Sequence, residues 1–438
     1  MQYPMKYPAF PDLAKSQEML KEYARLKYEY GSDAAAIEAV LHQAREALDA
    51  ARQALLALPE DAALTAQEPD DLAAIQALRP DAPRALWQRF DEAAYAERLA
   101  GAFMGRMAGC TLGAPVEFWS VPAMADWAAY IGDAFPPVDY WSSIKNPSDK
   151  RYGVSPCYDY TLPGLKGVPV DDDITYTILG LLIAEDAGLG FSIDDAGAAW
   201  VKYLPYACTA EEVALRNLTA GVPAERSAEL DNPYVQWIGA DIRSDPWGYL
   251  APGLPQKAAR MAWTDAWLSH RRNGIYGEMY FSAVIAAAFA CNDAIAALRL
   301  GLNEIPAGCL LAADVRWALE QGPFIRDHAH ARAAAEARFG DMSGVHTNLN
   351  ACLTIFGLFL GGTDFTRAIG QTVAMGYDND CTAATVGSIF GAAYGLAAIP
   401  EHWYKPFADR VLTYLNGHRE LSIGDVLGRF AALARRNF

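Results

Sequence analysis

The chain has 438 residues, 52% of them hydrophobic, and a formal charge of −17 at pH 7. A sequence this apolar is not disordered, and one this acidic lacks the clustered lysine and arginine that non-specific nucleic-acid or anionic-membrane binding requires. Its seven cysteines (110, 157, 208, 291, 309, 352 and 381) are scattered without a CxxC pair, which predicts reduced thiols in a cytoplasmic protein, not a disulfide framework or a zinc site.

The opening MQYPMKYPAFPDL carries prolines and no apolar core, so no secretory leader is expected. Residues 14–58 are rich in Ala, Leu, Glu, Lys and Arg with apolar recurrences near three and four, and read as helical. The break EYGSDAAA splits them into a pair, with Ser32 or Asp33 capping the second helix. A polar, proline-bounded connector follows over 59–72. Residues 1–91 are thus expected to form a helical N-terminal extension to an all-α domain over 92–438.

In that domain the punctuation by Gly, Pro, Asn and Asp predicts helices over 92–114, 172–188, 194–204, 209–220, 255–271 and 278–299. Further helices are predicted over 307–321, 346–360, 364–376, 381–397 and 404–416. Alternating strand patterns are almost absent, and no repeat of fixed period suggests a solenoid. The fold class is therefore a compact multi-helix all-α domain. Residues 381–400 are uncharged and just long enough to span a bilayer. Small residues dominate them, however, and Asp380 abuts them, so a buried helix is expected.

Glycines fall at 101, 105, 109 and 113 in one helix and at 387, 391 and 395 in another. Four-residue spacing keeps them on nearly one helix face. Each costs about 1 kcal/mol against alanine, which close backbone approach would justify. Both helices are expected at the domain centre, against each other. The long stretches 131–170 and 222–254 are irregular and aromatic, as loops that shape a site are.

Asp171, Asp172 and Asp173 open one apolar run; Asp378 and Asp380 open another. One aspartate at a helix start serves as a cap. Three in a row and a D-x-D exceed that purpose, and their charges repel unless neutralised. The pattern leaves three readings open: a divalent-cation site of Asp oxygens and Thr hydroxyls, ordinary capping with solvated charge, or paired acid–base carboxylates.

The set GAFMGRMAGCTLGAPVEF (101–118), DDDITYTILGL (171–181), NPYVQWIGADIRSDPWGY (232–249), DAWLSHRRNGIYGEMYFSA (265–283) and GYDNDCTAATVGSIFGAAYG (376–395) resembles the ADP-ribosylglycohydrolase family over roughly 96–437. The resemblance implies an all-helical fold around two magnesium or manganese ions. It also implies hydrolysis of the glycosidic bond joining ADP-ribose to a protein side chain or small acceptor. The partner would then be an ADP-ribosylated protein or an ADP-ribose-containing small molecule, with no nucleic acid and no membrane. Carried over by position, the metal ligands are Asp171, Asp172, Asp173, Asp378 and Asp380, with Cys381 at the hydroxyl position and Thr382 beside it as a compensating hydroxyl. Glu117, Asp172 and Asp380 are the implied catalytic residues. Asn232, Asp241, Arg243, His270, Gly376 and Tyr377 are implied to bind substrate.

The chain departs from the family's Thr-Asp-Asp-Thr motif at Asp171 and Ile174, and Cys381 replaces a hydroxyl residue beside a hard cation. Asp265 is a candidate supporting group, and Arg243 is read equally as a contact to phosphate or the substrate loop and as a tie for its own aromatic loop. Tyr140, Trp141 and Trp237 are read as adenine stackers or as packing, and His328 and His330 as solvated. A binuclear hydrolase of a nucleoside or phosphoester, and a non-catalytic ADP-ribose binder, remain as alternatives.

Overall fold

Long side chains of high helix propensity dominate 14–56 and form two helices, Ala14–Glu29 and Ala34–Leu56. Gly31 turns the chain between them at φ +80°, and Asp33 caps the second by accepting from Ala36 N at 2.9 Å. Neither helix contains a buried residue. The structure, a computed structural model, describes residues 6–438, and 6–66 form one unit, separate from 67–438.

The large unit begins at Gln67 rather than at 92. Glu68 is buried and accepts from Arg272 Nε and Asn273 Nδ2, each at 3.0 Å, and from Leu310 N at 2.8 Å. Arg84 reaches Glu304 at 2.8 Å, and Arg79 joins the same carboxylate. Residues 67–91 are thereby strapped to the domain body.

At the centre, helix Glu92–Gly113 lies against helix Asn379–Tyr394. The glycine stripes face each other, as expected. A Cβ on Gly105 would stand 2.2 Å from Gly387 O, and one on Gly391 would stand 2.0 Å from Gly101 O. No side chain fits there. The other faces of the first helix bury Phe103, Met107 and Leu112, each contributing about 1.5–3 kcal/mol. Arg98 gathers helix ends around this pair. Its Nη1 donates to Ala288 O, Cys291 O, Ala392 O and Ala393 O, carbonyls at the C-terminal ends of two helices.

Most expected helices are present, with four differences. The 278–299 segment is two helices, Asn273–Ala288 and Ala294–Gly301, because Asp293 caps the second through Ile295 N at 2.8 Å. Residues 404–416 are not helical; a short 3₁₀ turn leads into strand Arg410–Leu412, paired antiparallel with Glu420–Ser422. Helices His328–Phe339 and Ile423–Ala434 lie outside the expected set, so His328 and His330 sit on a helix, with His328 edge-on to Phe135. Helices Val121–Ile131 and Asp245–Leu250 likewise occupy ground read as loop or unassigned. Among the described residues, no helix is long and apolar enough to cross a membrane. Residues 381–393 are instead buried in the core.

Candidate metal centre

Asp171 stands at the N-cap of helix Asp172–Ala187, and its Oδ1 accepts from Asp173 N at 3.2 Å. Asp171 and Asp173 are fully buried. The second acidic segment is set by two consecutive left-handed residues, Gly376 at φ +70° and Tyr377 at φ +62°. Glycine takes that conformation freely; tyrosine is held in it. Arg332 lies 3.5 Å over the Tyr377 ring and donates to Met375 O at 2.9 Å. The turn also accepts, through Tyr377 O, from Phe118 N at 3.1 Å, and Phe118 is itself left-handed at φ +59°. Glu117 and Asp378 are thus presented by two turns bonded to each other.

Glu117, Asp172, Asp378 and Cys381 line one cavity of about 250 Å³, with Tyr152 and Trp237 among its walls. The chain-distant acids therefore converge. Cys110, Asp171 and Asp173 bring ligand atoms within 4.8 Å of one another, and Asp378, Asp380 and Cys381 do the same.

Two arginines enter this cluster that the sequence reading did not single out. Arg151 is carried on a hairpin, Lys150–Arg151 paired with Ser155–Pro156. Val170 N donates to Ser155 Oγ at 3.1 Å, which fixes the hairpin to the segment leading into Asp171. The Arg151 guanidinium donates to Glu117 Oε2 at 2.8 Å, Asp171 Oδ2 at 2.9 Å and Asp380 Oδ2 at 3.2 Å. Arg106, in the middle of the first glycine stripe, is fully buried. It meets Asp173 Oδ1 at 2.9 Å and Asp245 Oδ2 at 2.7 Å, and donates to Thr177 Oγ1 at 2.8 Å.

The carboxylates outnumber these guanidiniums, and their protonation behaviour reflects it. Burial, opposed by Arg151 and reinforced by Asp378 and Asp172, pushes Glu117 up to about 7. Burial raises Asp172, with Asp171 adding to the effect, and raises Asp378 and Asp380 as well. Burial and the neighbouring aspartates keep the Cys110 and Cys381 thiols protonated.

Buried oxygens Asp173 Oδ2, Asp378 Oδ1 and Asp380 Oδ1 have no hydrogen-bond partner among the described residues. Each such atom costs about 1–3 kcal/mol. Hard, unpartnered carboxylate oxygens, with Asp378 on the cavity wall and Asp173 and Asp380 buried, fit a magnesium- or manganese-type cation. The two thiols do not.

Several other expected residues are engaged elsewhere. Arg243, read equally as a contact to phosphate or the substrate loop and as a tie for its own loop, is buried. It pairs with Glu211 and Asp265 at 2.6 Å each and with Glu278 at 3.3 Å, which spends its charge inside the protein. That accounts for Asp265 too. His270 is fully buried and bonds Ser269 Oγ through Nδ1 at 2.8 Å; burial and then Arg243 hold it well below the usual histidine range. Asn232 braces its loop through Ala210 O at 3.1 Å and Ser269 O at 3.0 Å. Asp241 is buried near Asp245 and Asp173, with its Oδ1 unpartnered. Thr382 donates its hydroxyl to Asp378 O at 3.0 Å. Tyr140 and Trp141 are core packing, bonded to Trp403 O at 2.5 Å and Leu112 O at 3.0 Å. Trp237 alone of the three expected stackers lines the cavity.

An all-helical domain with aspartate clusters meeting at the ends of two central helices is the architecture this chain defines. Residues 91–434 match the ADP-ribosylglycohydrolase family model, and the chain belongs to that family. A solved structure described as an ADP-ribosylglycohydrolase-related protein complex is similar at 18% identity and a TM-score of 0.49, covering 78% of this chain and 99% of that one. A search of curated protein sequences found no match.

Proposed function

We propose that the chain is a divalent-metal-dependent hydrolase that cleaves the N- or O-glycosidic bond of an ADP-ribosylated side chain or small molecule. The observation that carries this reading is the shared cavity, where the Glu117 carboxyl faces the same space as Asp172 and Asp378. Asp378 and Asp380, with Asp172 and Asp173 beside them, would hold magnesium or manganese. When bound, such an ion supplies Lewis-acid polarisation of ribose hydroxyls or water.

The chain's own residues do the rest. Glu117 is the acid–base group: a carboxyl raised to about 7 can hold a proton for the leaving atom and take one from water. Arg151 fixes its Oε2. Tyr152 and Trp237 wall the space and limit water. The cavity is smaller than the roughly 300–1,000 Å³ that encloses a whole drug-sized ligand, so it takes the ribosyl end, and the remainder of the ligand lies outward. Seven free cysteines suit a reducing cytoplasm.

A panel of ADP-ribosylated peptides, ADP-ribosyl small molecules, nucleosides and phosphoesters, assayed with magnesium or manganese, tests the reading. Release of free ADP-ribose that needs the metal and is lost in Glu117→Gln supports it. Turnover confined to phosphoesters overturns it. One observation favours a second reading, a non-catalytic ADP-ribose binder: Arg151 already occupies Asp171 and Asp380. Calorimetric binding of ADP-ribose without turnover of any panel member would select that reading.

A further inference from the structure

We propose that Arg151 takes the place of one cation in this centre, so that the chain binds a single divalent ion at the Asp378–Asp380 group. The inference rests on the reading of the cluster as a metal centre and deepens it. The two groups of potential ligands are not equivalent. In the Cys110–Asp171–Asp173 group each carboxylate already has a guanidinium: Asp171 meets Arg151 at 2.9 Å, and Asp173 meets Arg106 at 2.9 Å. Each group's third member is a buried thiol, a poor partner for a hard cation, so the carboxylates alone distinguish the two groups. In the Asp378–Asp380–Cys381 group, Asp380 meets Arg151 only at 3.2 Å and Asp378 meets no guanidinium among the described residues; two of its oxygens, Asp378 Oδ1 and Asp380 Oδ1, are buried and unpartnered, against one, Asp173 Oδ2, in the first group.

Arg151 Nη2 stands between Asp171 Oδ2 and Asp380 Oδ2, so it bridges the two acidic segments. A second ion joining those segments would draw on the same oxygens at about 2.0–2.6 Å, and a guanidinium and a divalent ion repel each other across that distance. Arginine is suited to the position, because it stays charged when buried and its planar fork reaches several carboxylates at once. Its other nitrogen, Nη1, bonds Glu117 Oε2 and Ala114 O at 2.8 and 2.9 Å, which ties the charge to the cavity wall. The extra carboxylate at Asp171 and the thiol at Cys381 then cease to be unrelated oddities. Asp171 supplies an anchor for the guanidinium, and Cys381 borders a centre that needs fewer hard ligands.

The test is manganese stoichiometry in the metal-stripped full-length chain, by equilibrium dialysis with elemental analysis and by electron paramagnetic resonance. Wild type is expected to bind one Mn²⁺ per chain, with the spectrum of an isolated ion. Arg151→Met should rise to two, with the broadened signal of an exchange-coupled pair, and Arg151→Lys, which keeps the charge, should stay at one. Two ions in wild type overturn the inference but leave the metal centre standing, as does one ion in a folded Arg151→Met protein. No manganese in any variant sinks both readings. If Arg151→Met fails to fold, the wild-type and Arg151→Lys counts still decide.

Discussion

A Cβ on Gly113 would stand 2.4 Å from the Asp380 Cα and 2.5 Å from its backbone nitrogen. The last glycine of the first stripe thus touches the backbone of a candidate ligand, and helix packing and site geometry share one contact. Gly113→Ala must push the two helices apart where the acids converge. Overpacking of this kind costs about 1–3 kcal/mol. The expected result is a folded protein with a lowered melting temperature and manganese affinity weakened about tenfold, equivalent to about 1.4 kcal/mol. Unchanged affinity and melting in Gly113→Ala would show that the close approach is not needed.

Gly428 supplies the opposite sign. It lies inside helix Ile423–Ala434, and a Cβ there meets nothing within 4 Å. Gly428→Ala should stabilise by about 0.5–1 kcal/mol through helix propensity alone. Denaturant unfolding of both alanine variants checks whether contact, not residue type, decides the outcome.

The glycine stripes were legible because four-residue spacing at a known cost demands a facing backbone, and Gly105 against Gly387 is that facing pair. The paired acids were legible as charge in excess of capping. Arg106 had a signal that went unread: a charged residue amid small ones on a core helix must meet buried acid, here Asp173 and Asp245. Arg151 had none, since a two-residue hairpin inside an irregular stretch leaves no periodicity. Arg243 stayed open between two readings for the converse reason. Its partners Glu211, Asp265 and Glu278 come from distant parts of the chain, and no local pattern says they are spent on it.

Arg106→Met should be severe. The guanidinium is fully buried between Asp173 and Asp245, and removing one partner of a buried pair leaves an uncompensated charge, costing about 3–5 kcal/mol. Metal-free chemical denaturation should show a midpoint lowered accordingly. A loss under 1 kcal/mol would mean that the two aspartates are neutral in the folded protein.

His346 gives a pH dependence. It caps helix Thr347–Gly361 by accepting from Asn348 N through Nδ1 at 3.2 Å, and burial lowers its pKa to about 4. The unfolded chain titrates this group near 6.5, so its contribution to stability is full above that pH and is lost as pH falls toward 4. The slope reaches about 1.4 kcal/mol per pH unit. His346→Asn keeps a capping oxygen and removes the titration. Its melting temperature should therefore fall less than that of wild type between pH 7 and pH 5, and parallel curves would refute the assignment.

Asp378 should behave oppositely with and without metal. It is buried with an unpartnered oxygen beside Asp172, Asp171 and Asp380, an arrangement that repels itself when no cation is added. Asp378→Asn removes one of those charges and keeps the shape. In EDTA the variant should melt higher than wild type, a gain in stability at the expense of function. With manganese the order should reverse. An ion at about a hundred times its dissociation constant stabilises wild type by about 2.7 kcal/mol, and the variant, short of one anionic ligand, should gain far less. The crossing is the informative result, because a surface or capping aspartate would lose stability in both conditions. If Asp378→Asn is destabilised in EDTA and responds to manganese as wild type does, this carboxylate caps a helix and holds no ion.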